Sequence, residues 1–82
     1  MKTSQFHVKN QFLLSDDEGN RYFQSYDSII VKKDRDGHIT LDERYWDYSK
    51  TTGKYRNLFL GEDKKETQRQ IDNGTYKLAN LN

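Results

Sequence analysis

A β-hairpin predicted between residues 28 and 41 is the feature that most constrains what this chain can fold into. Residues 28–33 read SIIVKK, and such a β-branched run strongly favours an extended strand. Residues 34–37 read DRDG, residue types that commonly reverse the chain. After the turn, Ile39 and Leu41 recur with a period of two, which places both side chains on one face. The fold must therefore contain two adjacent antiparallel strands.

Two further strands are predicted before this hairpin. Between Phe6 and Leu14 the even positions are mostly apolar, which indicates a half-buried strand whose outer face is interrupted by Leu13. Residues 16–20, DDEGN, are typical of a turn. Residues 21–26 then form the partner strand, with Phe23 and Ser25 on one face and Tyr22, Gln24 and Tyr26 on the other.

After the hairpin, the chain is expected to bend near Asp42 and Glu43. A continuous strand would place the charge of Glu43 in an apolar row, and a bulge or bend avoids this. Beyond the bend we expect an extended segment with Trp46 and Tyr48 on one face and Tyr45 on the other.

Two short helices are predicted in the second half of the chain. The first begins at a cap supplied by Ser49, Thr51 or Thr52 and ends at Gly61. Its apolar positions recur at helical spacing, so it should pack on the sheet through Tyr55, Leu58 and Phe59. The second begins at Asp63, with Glu66 as its capping-box partner, and ends at residues 73–74, Asn-Gly. Tyr76, Leu78 and Leu81 predict a last short strand or extended tail.

These elements predict one α+β domain over residues 1–82. Its architecture is an antiparallel sheet of four to five strands, then two short helices and a short C-terminal strand or extended tail. Hydrophobic content is only 32%, but aromatic content reaches 13%. Because aromatic side chains bury a large area each, we expect a folded chain with a core built mainly from Phe, Tyr and Trp.

Charge and residue usage exclude several classes of protein. The net charge is +1, so attraction to nucleic acid or a membrane would need a local patch. The chain has no cysteine, hence no disulfide and no thiolate chemistry. The first 15 residues lack the apolar core of a signal peptide, and no stretch reaches membrane-spanning length. We therefore expect a soluble protein of the cytoplasm.

No arrangement of residues predicts catalysis, a metal site or a cofactor. Residues 32–43 match a calcium loop at several positions, but Lys32 stands where the first carboxylate ligand belongs, and a strand precedes the loop instead of a helix. His7 and His38 have no further histidine or cysteine to complete a metal site. No nucleophile and base occur in a recognisable context, so we predict a protein that is not an enzyme.

The candidate binding site is a set of aromatic and basic residues centred on residues 44–61. Flat rings can stack on bases while cations neutralise phosphates, and the same residue types are enriched at protein interfaces. The alternative is that the rings form the core and the lysines are simply solvated. The set comprises Tyr45, Trp46, Tyr48, Lys50, Lys54, Tyr55 and Arg56, joined by Tyr22 and Tyr26 from a neighbouring strand.

The chain also resembles a group of small proteins encoded by bacteriophages and mobile elements of Gram-positive bacteria. The resemblance lies in YFQSYDSII at residues 22–30, WDYSKTTGKYR at residues 46–56 and FLG at residues 59–61. It implies action in a bacterial cytoplasm by binding, where host nucleic-acid machinery, including CRISPR nucleases, is a frequent target.

Two functions follow as hypotheses. The first is a non-catalytic, phage-type binding protein that occupies a surface of a host protein, such as a nuclease or defence complex. The second is a module that binds single-stranded DNA or RNA through the aromatic and basic set. A small core also makes a homodimer an attractive arrangement, because an interface would add buried surface.

Overall fold

A six-stranded sheet and two helices form the part of the protein that the structure describes. The computed structural model describes the backbone of residues 2–5 and all of residues 9–82, so Phe6, His7 and Val8 of the predicted first strand lie outside the described residues. The strands are β1 (Lys2–Gln5), β2 (Gln11–Ser15), β3 (Arg21–Ser25), β4 (Ser28–Lys33), β5 (Ile39–Asp42) and β6 (Lys77–Ala79), and the helices are α1 (Lys50–Leu60) and α2 (Lys64–Asp72).

The strands lie in the order of the sequence, from β1 at one edge to β6 at the other. The first four pairings are antiparallel, as expected for strands joined by short turns, and the predicted α+β fold is confirmed. The last pairing, between β5 and β6, is parallel. A parallel neighbour needs a long crossover, and the two helices between Asp42 and Lys77 supply it.

The hydrophobic core lies between the sheet and α1. Its fully buried members come from β3, β4 and β5, and α1 covers them with Tyr55, Phe59 and Leu60. The ring of Phe59 stacks on that of Phe23 with centroids 6.2 Å apart. The predicted contact through Leu58 is wrong, because this side chain is 60% exposed. The buried members of the core are Phe23, Ile30, Val31, Ile39 and Leu41.

In β2, the inner face differs from the prediction. Leu13 lies directly opposite the buried Phe23, so the odd positions of β2 face the core and Phe12 and Leu14 lie on the other face. Every side chain from Phe12 to Ser15 is half-buried. Since both faces of this strand carry apolar residues, alternation in the sequence does not identify the inner one.

The segment after β5 turns at once and does not resume an extended path. Asp42 accepts hydrogen bonds at Oδ2 from the backbone N–H groups of Arg44 (3.0 Å) and Tyr45 (2.8 Å), and its carbonyl accepts one from Trp46 (3.0 Å). The expectation that Tyr45 and Tyr48 lie on opposite faces is therefore wrong. Their rings meet edge to face with centroids 5.5 Å apart.

The two helices are capped as their sequences predict. Ser49 caps α1 by accepting from Thr52 N–H, and Gly61 ends it in the left-handed conformation at φ 71°. Asp63 caps α2 by accepting from Glu66 N–H, whereas the Glu66 carboxylate accepts from Arg69 and Gln70 and does not complete the predicted capping box. The preceding Glu62 binds this region together, since its carboxylate accepts from Thr67 Oγ1 (2.7 Å) and from Tyr76 OH (2.6 Å).

Candidate functional site

The outward face of α1 carries the residues that form the candidate site. With 3.6 residues per turn, positions 50, 53, 54, 57 and 58 fall on one side of a helix and positions 52, 55, 56 and 59 on the other. The inward side is buried at Thr52 and Arg56 and packs on the core at Tyr55 and Phe59. The outward side remains open to solvent and lines a cleft.

This cleft, which we call the α1 cleft, has a volume of about 710 Å³. Four cationic side chains and one carboxylate line it, so its charge is clearly positive although the whole chain is nearly neutral. Lys64, from the start of α2, joins the lysines of α1 here. The lining residues are Asp47, Ser49, Lys50, Gly53, Lys54, Arg56, Asn57, Leu58 and Lys64.

Arg56 is the buried charge at the base of the α1 cleft, with its side chain 1% exposed. Its Nη1 donates to the carbonyl of Trp46 (2.6 Å), its Nη2 donates to Asn57 Oδ1 (3.0 Å), and its guanidinium lies over the Trp46 ring at 5.3 Å. Burial lowers the pKa of this guanidinium, and the nearby Asp47 carboxylate opposes that shift. Nε is buried and donates to no acceptor within residues 9–82.

Asp47 connects the two sources of positive charge. Its carboxylate accepts from Lys64 Nζ at 2.7 Å and lies 3.5 Å from Arg56 Nη1. The hydrogen bond from Lys64 is the largest cause of the lowered pKa of Asp47, which stays ionised at neutral pH. One side of the cleft is thus an ion pair, whereas Lys50 and Lys54 form no ion pair with a described residue.

A second cleft adjoins the first at the start of α1. This tyrosine cleft has a volume of about 480 Å³, and Ser49 and the neighbouring residues connect it with the α1 cleft. Tyr48 is 63% exposed and Tyr26 is 50% exposed. Tyr26 occupies the tight turn between β3 and β4 with φ at 56°. The residues that line the tyrosine cleft are Ser25, Tyr26, Asp27, Ser28, Tyr48, Ser49 and Thr51.

The structure divides the predicted aromatic and basic set into three groups. Tyr48, Lys50, Lys54 and Tyr26 lie on the surface formed by the two clefts. Tyr45, Trp46 and Tyr55 pack against the core, and Arg56 is buried. Tyr22 lies on the face of the sheet opposite Phe23, where its hydroxyl donates to Asp16 Oδ2 (3.0 Å).

Sequence reasoning missed six residues of the α1 cleft: Gly53, Asn57 and Leu58, and also Asp47, Ser49 and Lys64. The first three recur with Lys50 and Lys54 at helical spacing, so a polar-face reading of the helix would have identified them. No local pattern identifies Lys64, because it approaches through the fold of α2 and its contact with Asp47.

A separate group of metal-binding residue types converges at the β4–β5 turn. In the part of the chain that the structure describes, Asp34, Asp36 and His38 place their ligand atoms within 4.8 Å of one another. Asp34 Oδ1 already accepts from the backbone N–H groups of Asp36 and His38, both at 2.9 Å. These bonds are the ordinary means of holding a tight turn, and they lower the pKa of Asp34.

The fold and the two clefts define a small α+β domain in which three of the four large exposed apolar side chains of the described residues lie on one surface with three lysines. The chain belongs to DUF8033, a family of unknown function, which it matches over residues 1–74. No curated protein and no solved structure matches it. Within the described residues, neither helix has the length and apolar character needed to span a lipid bilayer.

Proposed function

We propose that this protein is a non-catalytic binding domain that holds a partner protein against the α1 surface, meaning the α1 cleft together with the tyrosine cleft. The observation that carries the proposal is the distribution of exposed apolar side chains. Of the four large ones among the described residues, Tyr26, Tyr48 and Leu58 all lie on this surface. Exposed apolar groups that cluster beside charged ones are typical of protein interfaces.

The composition of the α1 surface favours a protein partner over single-stranded nucleic acid. Leu58 is the aliphatic residue of the α1 cleft, and an aliphatic side chain provides no stacking platform for a base. Trp46 and Tyr55, which would be the strongest additions to such a platform, pack against the core. The second candidate, direct binding of single-stranded DNA or RNA, is supported by Lys50, Lys54 and the two exposed tyrosines.

The sequence resemblance described above directs the search for the partner. Small bacteriophage proteins act in the cytoplasm of the host cell, where they commonly bind host proteins. The partner that we propose is therefore a host protein that acts on nucleic acids, such as a CRISPR nuclease or another defence complex, which this domain would inhibit by occupying its surface.

Affinity capture from nuclease-treated lysate of a Gram-positive host tests this function. Wild-type protein should recover a specific partner, and the double variant Tyr48→Ser, Leu58→Ser should recover at least about tenfold less, because interface energy concentrates in a few central side chains. Leu78→Ser is the matched control. This side chain is 43% exposed on β6, away from the α1 surface, so its loss should leave recovery unchanged.

Equal recovery by the wild type and the double variant would contradict the proposal. A labelled single-stranded oligonucleotide tests the second candidate in parallel. Binding that weakens steeply with rising salt and is lost in the double variant Lys50→Ala, Lys54→Ala would establish nucleic-acid binding instead, since each phosphate contact releases counterions.

A further inference from the structure

Gly53 is an unexpected residue in the first half of α1. Glycine destabilises a helix relative to alanine, because it has more freedom to lose on folding. Space does not require it here. A methyl group at this position would have the Arg56 guanidinium as its nearest neighbour, with Nη2 at 3.7 Å, Nη1 at 3.8 Å and Cζ at 3.9 Å. These are ordinary van der Waals distances, so packing would accept alanine.

Gly53 places no side chain against the Arg56 guanidinium, which is itself 1% exposed and so lies just beneath the surface of the α1 cleft. Both residues line the cleft, and the Trp46 ring covers the guanidinium on another side. A methyl group on Gly53 would lie within 4 Å of both terminal nitrogens of Arg56, so its absence lets a partner group that packs against the Gly53 backbone approach the guanidinium more closely. An anion at this point would therefore interact with a buried charge that is only weakly screened by water.

The surroundings of Gly53 supply further positive charge at the same place. Lys50 and Lys54 lie three positions before and one position after Gly53 on the open side of α1, and neither forms an ion pair with a described residue. The Arg56 Nε–H is buried without an acceptor in the described part of the chain. The cleft at Gly53 thus carries two lysine charges that no described carboxylate pairs with, beside a buried guanidinium that has one unsatisfied donor.

We infer that the α1 cleft at Gly53 receives a carboxylate side chain of the partner protein, which Lys50 and Lys54 hold above the Arg56 guanidinium. This inference rests on the proposed function and identifies the partner's contact segment as acidic with an adjacent apolar residue. Leu58 lies one turn along α1 and offers the apolar contact. The carboxylate of Asp47 already lies between Lys64 and Arg56, so two of the four cations of this cleft bind a carboxylate within the protein itself.

The decisive variant is Gly53→Ala, because its effects on stability and on binding are opposite in sign. Alanine favours the helix and fits the available space, so Tm should rise by about 2–6 °C. The new methyl group keeps a carboxylate farther from the guanidinium, so affinity for the captured partner should fall by at least about tenfold. Removing Arg56 itself is a poorer test, since the turn at Trp46 depends on it.

Charge removal provides the second arm of the experiment. Lys50→Ala combined with Lys54→Ala should weaken partner binding by a similar factor. Lys65→Ala combined with Lys77→Ala, two exposed lysines outside the α1 cleft, should leave binding unchanged. If Gly53→Ala stabilises the protein and binds the partner as tightly as the wild type, the inference fails while the proposed function stands.

A random peptide library displayed on filamentous phage tests the chemistry without a known partner. Wild-type protein should enrich peptides in which Asp or Glu neighbours Leu or an aromatic residue, and Gly53→Ala should lose the acidic preference. Enrichment without acidic residues would overturn the inference. Binding of a single-stranded oligonucleotide through Lys50 and Lys54, with no peptide enriched, would overturn both the inference and the proposed function.

Discussion

Asp42 illustrates how one side chain organises a distant part of this small protein. The residue is 1% exposed. Its side chain holds the turn that follows β5, and it also holds the C-terminal segment in place. Its Oδ1 accepts from Leu81 N–H (2.8 Å) and from the side-chain amide of Asn82 (3.0 Å). Burial raises the pKa of Asp42, but these hydrogen bonds and those of the turn outweigh it, so the net shift is downward.

Replacing Asp42 should therefore be costly. Asp42→Ala leaves partly buried backbone N–H groups of the turn and of Leu81 without this acceptor, and we expect the free energy of unfolding to fall by about 3 kcal/mol. Urea denaturation measures this change. Asp17→Ala, at an exposed position in the β2–β3 turn, is the control and should change stability by less than about 0.5 kcal/mol. Equal effects of the two variants would refute the organising role of Asp42.

The different positions of three cationic side chains of α1, two at the surface and one buried, were not predicted from the sequence. Lys50, Lys54 and Arg56 form one basic run in the sequence, and their residue types alone do not separate them. The helix turns by 100° per residue, so Arg56 points inward while the two lysines stay on the open side. Arginine can be buried at position 56 because its planar guanidinium donates hydrogen bonds to Trp46 and Asn57 while it lies over the Trp46 ring.

At the scale of elements, α1 depends on the residue that caps its start. The sequence left Ser49, Thr51 and Thr52 as alternative caps, and the structure assigns the role to Ser49. Thr52 is buried instead, and its Oγ1 lies 2.9 Å from Ser25 Oγ in β3, so the first turn of α1 is attached to the sheet by a buried hydrogen bond.

Ser49→Ala should destabilise the protein by about 1 kcal/mol, the usual cost of losing a helix cap. The loss follows because Thr52 N–H then has no acceptor, and the hydroxyl contact from Ser49 to Thr52 Oγ1 (3.1 Å) disappears as well. Thermal unfolding followed by circular dichroism measures the effect. Thr51→Ala, two positions on and exposed, should leave Tm nearly unchanged; a larger loss there would show that the cap is misassigned.

At the scale of the whole molecule, several carboxylates couple stability to pH. Hydrogen bonds from Asn20 lower the pKa of Asp16 to about 2, and those from Arg69 lower the pKa of Glu66 to about 2. The pKa values of Asp42 and Asp47 are also lowered. A depressed pKa contributes stability that is complete above the unfolded-state pKa and is lost as pH falls through the folded-state pKa.

We therefore expect the free energy of unfolding to be nearly constant from pH 7 to about 5 and to decrease steadily as pH falls toward 2. Urea titrations at a series of pH values give this profile. Asp16→Asn should flatten it, because an amide in place of this carboxylate no longer titrates. A profile for the wild type that is level between pH 5 and pH 2.5 would contradict the expectation.

The amino-acid sequence determined the local elements of this protein, because caps, turns and β-branched runs act over a few neighbouring residues. The strand at residues 28–33, the turn at residues 34–37 and both helix ends were predicted from such signals. Only the tertiary structure decided which faces are buried. Leu13 faces the core and Leu58 faces solvent, each the opposite of the prediction, and Lys64 lines the α1 cleft. These outcomes were not predicted because burial depends on contacts between segments far apart in the chain.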